Sequence, residues 1–187
     1  MLILASNSPR RKEILKMLGY EFKVTVSEAD ENIEYLPPED TVTELSKRKA
    51  LAVKAEYEDT VIGADTVVAI DNKILGKPKD KKDAYDMLKL LSNRKHTVYT
   101  GVTVITKEKI ITDYVSADVY FREILDFELE NYLNTDEPYD KAGAYAIQGM
   151  GGAFTEKIDG DFYAVMGLPA CYISKTLNSL NIFPKVK

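Results

Sequence analysis

The chain opens on an apolar run, Leu2-Ile3-Leu4-Ala5, whose length and composition predict a buried strand. A polar turn, Ser6-Asn7-Ser8, leads into a segment with Ile14, Leu15 and Leu18 on one face, which predicts a helix over 9–18 stopped by Gly19. Phe22 to Val26 reads as a second strand. The acidic stretch 27–40, with Pro37-Pro38, reads as a loop. Thr41-Val42-Thr43-Glu44 has the composition of a capping box, so a second helix is expected from there through Leu45, Leu51 and Val53. Val61-Ile62-Gly63-Ala64 and Val67-Val68-Ala69-Ile70 read as a buried strand interrupted at Asp65-Thr66, followed by a turn at Asp71-Asn72-Lys73.

Asp80 is placed to cap a third helix carrying Ala84, Met87, Leu88 and Leu91. Strands are expected over 97–106 and 110–121, and Asp126 is placed to cap a short helix. A glycine-rich stretch, 143–152, precedes a strand over 153–158. Asp159-Gly160 has the composition of a hairpin turn, and Pro169 is placed to start a last helix running to Leu180. Helices alternating with strands, then hairpin-like strands, predict an α/β domain with a mixed sheet.

At 187 residues the chain is long enough for one α/β domain over 1–187. A net charge of −5 argues against nucleic acid or an acidic membrane as partner, so any anion site has to be a local cationic cluster. No apolar run approaches the roughly 20 residues that span a bilayer, and no signal-peptide pattern opens the chain, so a cytoplasmic protein is expected. The single cysteine, Cys171, excludes an intramolecular disulfide and reads as a core residue. His96, the one histidine, has no histidine or cysteine cluster around it. Zinc held by histidines and a serine–histidine triad are therefore excluded as leading chemistries.

The chemistry falls instead on carboxylates and cations. Ser8 is positioned to cap the first helix, and Pro9 suits its first position. Arg10 and Arg11 in the first turn oppose the helix dipole, which an anionic, phosphorylated ligand would compensate. Asp65 inside an apolar strand is costly to bury unless paired or metal-bound, pointing to a general base or metal ligand rather than a backbone cap. Lys77 sits in the turn Gly76-Lys77-Pro78. Of Lys47, Arg48 and Lys49 on the second helix only some can face inward, and Glu31 is available as a second carboxylate. Gln148, in a glycine-rich stretch, has the donors and acceptor needed to read a nucleobase edge.

Four blocks carry a family resemblance: Ala-Ser-Asn-Ser-Pro-Arg-Arg at 5–11, Gly-Ala-Asp-Thr-Val-Val at 63–68, Leu-Gly-Lys-Pro at 75–78, and Asp-Lys-Ala-Gly-Ala-Tyr-Ala-Ile-Gln-Gly at 140–149. In this order they resemble the Maf family of nucleoside triphosphate pyrophosphatases, related in fold to the inosine triphosphate pyrophosphatases. The resemblance implies a mixed, strongly twisted sheet flanked by helices, with two lobes and a cleft between them. It implies hydrolysis of a nucleoside triphosphate to monophosphate and pyrophosphate with a divalent cation, Mg²⁺ or Mn²⁺. Asp65 becomes the proposed base, joined by Lys77 and Glu31, with Asp65 and Glu31 as metal ligands. Ser8, Arg10 and Lys49 join the substrate-binding set, and Arg11, Thr66 and Gln148 are associated with specificity. Thr66 and Ile147-Gln148-Gly149 match the branch that prefers dTTP and UTP. The family's link to septum formation supplies an alternative, a nucleotide-sensing regulator of cell division without significant catalysis. A nucleotidyltransferase is disfavoured because Ser6-Asn7-Ser8 is not a glycine-rich loop. The implied fold is compatible with a homodimer.

Overall fold

A computed structural model describes residues 1–54 and 59–185. Its sheet contains β1 (Leu2–Leu4), β2 (Lys23–Val24), β3 (Thr60–Ile70), β4 (Lys73–Leu75), β5 (Lys95–Ile105), β6 (Ile110–Phe121) and β7 (Thr155–Gly160). The strand order is β2-β1-β3-β5-β6-β7, with β4 paired to β3. β1 runs parallel to both β2 and β3, while β4 pairs with β3 and β7 with β6 in antiparallel fashion. The mixed sheet expected from the sequence is present. The helices are α1 (Pro9–Met17), α2 (Pro38–Lys54), α3 (Lys81–Leu91), α4 (Asp126–Tyr132), α5 (Phe162–Met166) and α6 (Ala170–Ser179).

The chain divides into two compact units. The first comprises Met1–Asp65, Thr100–Val115 and Gly167–Lys187, and the second Thr66–Tyr99 and Ser116–Met166. β3, β5 and β6 each contribute residues to both units, and on β3 the division falls between Asp65 and Thr66. In the first unit Ile3, Ala5, Ala50, Val53, Val61 and Ile105 form a buried cluster. In the core of the second unit Leu88 and Leu91 of α3 meet Phe121, Leu129, Tyr132, Tyr145 and Phe154.

In the first unit α2 packs closely on two strands. A Cβ on Gly63 of β3 would lie 2.3 Å from the Ser46 carbonyl oxygen, and one on Gly101 of β5 would lie 2.1 Å from the Val42 carbonyl oxygen. Only hydrogen fits at either point, so the helix backbone rests directly on the sheet. Ser46, fully buried there, bonds Thr103 Oγ1 of β5 at 3.0 Å.

Several local expectations are corrected. α2 starts at Pro38, not at the Thr41 capping box: proline suits the first helical position, and Glu39 and Asp40 complement the dipole. The Thr41 hydroxyl donates back to the Leu36 carbonyl (3.2 Å) instead of capping. β3 is continuous through Asp65 and Thr66, because Lys49 satisfies the carboxylate without a break in the strand. Asp159 and Gly160 lie within β7, opposite Asp118 and Ala117, rather than in a hairpin turn. Gly160 there has φ +127°, and a Cβ would come within 2.9 Å of Ala117. Cys171 is exposed, because α6 turns Ala170, Ile173 and Leu177 inward and leaves position 171 on its outer face. Asp126 is the first helical residue of α4 and bonds Lys89 and Tyr85, so Glu128 takes the capping role by accepting the Leu125 N–H at 3.0 Å. The turn at Asp71-Asn72 and the Asp80 cap on α3 are present as expected.

Gly63→Ala is expected to lower stability by about 1–3 kcal/mol through overpacking against α2. Urea denaturation measures this, and an unchanged midpoint would contradict the close approach.

Candidate active site

The first unit gathers most of the predicted residues. β1 delivers the chain to Ser6, whose buried hydroxyl accepts the Ser8 N–H (3.2 Å) and a bond from Arg11 Nη1 (3.1 Å). Arg11 Nε donates to the Gly167 carbonyl at 2.8 Å, which fixes the half-buried guanidinium at two points. Burial lowers the Arg11 pKa and Arg10 lowers it further, whereas Asp65 and Glu31 raise it. Arg11 therefore lies in the electrostatic reach of all three, and a guanidinium remains charged throughout the physiological range. Ser8 stands before α1 as expected, but its side chain accepts no capping bond. Ser6 takes the organising role that the sequence suggested for Ser8. A small polar residue at the strand end, five positions before Arg11, is the signal that could have pointed to it.

Asp65 meets Lys49 of α2 at 2.6 Å, and Glu31 approaches the same Nζ at 3.2 Å. The Lys49 and Asp65 side chains are 13% and 11% exposed, whereas that of Glu31 is 63% exposed. The inner pair is thus largely removed from water, and the outer carboxylate closes over it from the loop. Removing Lys49 would strand the Asp65 charge, at a cost of about 3–5 kcal/mol. Arg48, the residue before Lys49 on the helix, bonds Glu44 and the Asn32 carbonyl instead, which braces the loop carrying Glu31. Among the described residues no group of three His, Cys, Asp or Glu side chains forms a ready metal cage. Two carboxylates on one lysine match Mg²⁺, which commonly takes one or two carboxylates and completes its shell with water and phosphate oxygens.

The remaining residues belong to the second unit. Thr66 is half-buried on β3, while Lys77 and Gln148 are exposed. The turn before Lys77 and the segment leading to Gln148 are joined by one backbone bond, from the Gly143 N–H to the Gly76 carbonyl at 3.1 Å. The segment is also anchored at Tyr145, whose hydroxyl meets His96 Nε2 at 2.8 Å. The Phe121 ring packs edge-on to both His96 and Tyr145, with centroids 4.8 Å away in each case.

A family model describing Maf-like proteins matches residues 1–180. The chain belongs to the Maf-like family. It is 47% identical over 181 residues to a protein named dTTP/UTP pyrophosphatase from Bacillus cytotoxicus, covering 96% of this chain and 95% of that one. It is 46% identical over 183 residues to a Bacillus anthracis protein of the same name, covering 97% and 96%. Among solved structures, the Staphylococcus aureus Ham1 protein superposes with TM-score 0.57 at 12% identity, covering 96% of this chain and 98% of that one. A HAM1 protein from Coxiella burnetii gives 0.55 at 13%, covering 95% and 98%. These two show a shared fold. The Maf-like assignment accounts for all four sequence blocks, since the matched residues include each of them.

His96 is 1% exposed, and burial pushes its pKa down from 6.5 to about 4. The unfolded chain therefore binds the proton first, so the stability gained from the neutral ring is present above about pH 6.5 and lost as pH falls towards about 4. The full effect is about 3 kcal/mol. His96→Gln, which keeps a polar partner for Tyr145 without titrating there, is expected to flatten the stability profile across that window. Parallel pH profiles for variant and wild type would contradict the assignment.

Proposed function

We propose that this Maf-like chain hydrolyses dTTP and UTP to the monophosphate and pyrophosphate. The observation that carries the reading is the buried Lys49–Asp65 pair with Glu31 and Arg11 around it, in a chain aligned end to end with proteins named dTTP/UTP pyrophosphatase. Arg10, Arg11 and Lys49 outnumber Asp65 and Glu31, so the group favours an anion. Arg11, held by Ser6 and Gly167, offers its guanidinium to phosphate oxygens as a preorganised donor. Arg10 and Ser8 would add further contacts to the phosphate chain, and Lys77 a further cation. Asp65 would accept a proton from the attacking water. The water oxygen bonds to the α-phosphorus as the bridging α–β oxygen bond breaks, and pyrophosphate leaves. Lys49 orients the carboxylate for this step.

Asp65 and Glu31 would hold a divalent cation, Mg²⁺ or Mn²⁺, which supplies charge neutralisation on the phosphates when bound. Thr66 and Gln148 would set base preference, Gln148 by pairing with the uracil or thymine edge. An unmatched base would leave the Gln148 amide without that pairing. The substrates are free nucleotides, and the reading calls for neither nucleic acid nor membrane. It is of a cytoplasmic enzyme and is compatible with a homodimer. No helix among the described residues is long and apolar enough to cross a membrane.

Asp65→Asn is expected to retain dTTP binding within a few-fold while turnover falls by about 10²–10⁴. Isothermal titration with a non-hydrolysable analogue and a pyrophosphate-release assay read the two quantities. Near-normal turnover would remove Asp65 from the base role. Nucleotide binding by a wild type that shows no turnover would favour a sensor. Gln148→Ala is expected to raise KM for dTTP and UTP and to narrow the gap to CTP and GTP, read from the four kcat/KM values.

A further inference from the structure

Gln148 is an exposed side chain with several rotatable bonds, and it sits outside any long helix or strand. Such a residue discriminates between bases only if its backbone is held still, because loose rotamers bring their entropy cost to every contact. The turn that presents it is closed by the Gly149 N–H donating to the Ala146 carbonyl at 3.2 Å, which leaves Gln148 at the third position. The next turn follows at once, with the Gly152 N–H on the Gly149 carbonyl at 3.1 Å. These turns are short and would be mobile on their own.

One carboxylate fastens them. Glu137 Oε2 accepts the Met150 N–H at 3.0 Å, and Oε1 accepts the Gly151 N–H at 3.0 Å. Oε1 also accepts the hydroxyl of the buried Tyr132 at 2.9 Å, which ties the carboxylate to the core of the second unit. Burial raises the Glu137 pKa, but the two N–H groups, the Tyr132 hydroxyl and Lys141 outweigh it and hold the carboxyl below its usual range. Between this clamp and Gln148 stands Gly149, and a Cβ there would lie 2.2 Å from Glu137 Oε2. The carboxylate is thus pressed flat against the residue that follows Gln148, with room for hydrogen alone. Three glycines within 149–152 are the sequence signal for backbone N–H groups in need of an acceptor, which Glu137 supplies at Met150 and Gly151.

We propose that Glu137 is a positioning residue for base selection, its carboxylate fixing the turn that presents Gln148. The proposal rests on the reading of Gln148 as the base-contacting residue. Glu137 touches no reacting atom in this account, and it acts through the backbone of 149–151. A carboxylate that merely capped the short helical turn at Met150–Phe154 would influence stability and leave base preference alone.

The test compares kcat/KM for dTTP and CTP in the wild type, Glu137→Gln, Gln148→Ala and the double variant. Glutamine keeps the size of Glu137, but its amide nitrogen would face one of the two backbone N–H groups donor to donor. The expected result for Glu137→Gln is a loss of about tenfold in dTTP-over-CTP preference, the size of one charge-assisted hydrogen bond. The loss should appear in KM for dTTP, with kcat nearly unchanged, and the double variant should be no less selective than Gln148→Ala alone. Tyr132→Phe, which withdraws one donor and leaves both backbone bonds, is expected to act in the same direction by about two- to threefold, and it decides the matter should Glu137→Gln not fold. Unchanged preference in the Glu137 and Tyr132 variants, with a clear change in Gln148→Ala, would overturn the positioning role alone. Effects that multiply in the double variant would also overturn it. Unchanged preference in Gln148→Ala would overturn the base-reading role and this proposal with it.

Discussion

The direct contact between the backbone of α2 and the sheet at Gly63 and Gly101 determines where the charged residues of the first unit fall. Side chains on a strand alternate, so Gly63 and Asp65 share one face. On the helix, Ser46 and Lys49 are three residues apart and share one side. Once Ser46 is seated on Gly63, Lys49 is carried to Asp65, and the 2.6 Å ion pair follows from the packing. A methyl group at position 63 would lift the helix and lengthen that contact. Stability and chemistry in this unit thus depend on the same missing side chain.

The ion pair also explains how a carboxylate can lie within an apolar strand. Asp65 would be expensive there alone, and Lys49 offsets much of that cost. Glu31 completes the group from a loop, with most of its side chain in water, so it can move without disturbing the core. Arg11 is fixed by the Ser6 hydroxyl and the Gly167 carbonyl, within the electrostatic reach of Asp65 and Glu31. The buried parts of the group are Asp65 with Lys49 and the tethered Arg11 guanidinium, and the exposed part is the outer carboxylate. That division suits a reaction whose substrate arrives with a multivalent cation.

The strand and helix pattern was largely legible, because apolar runs and the Asp71-Asn72 and Asp80 signals are local. Local rules failed where tertiary contacts decided. Thr41-Val42-Thr43-Glu44 has capping composition, yet Pro38 starts the helix a turn earlier. Asp65-Thr66 looked like a break until a lysine sixteen residues upstream satisfied it. Of the site, Asp65, Glu31, Lys49, Arg10 and Arg11 were named from the sequence, and the structure places them in one electrostatic neighbourhood. The ties between them could not be read, since the Arg11–Gly167 bond spans 156 positions. Ser6 and Glu137 escaped notice because each acts by holding backbone or a neighbouring side chain, which leaves no signature in composition.

The most direct measurement of the central claim is hydrolysis of dTTP by the purified protein in ¹⁸O-water with Mg²⁺, followed by mass spectrometry of both products. Attack at the α-phosphorus places the label in thymidine monophosphate and leaves pyrophosphate unlabelled. Label in pyrophosphate, or products of diphosphate and orthophosphate, would contradict the account.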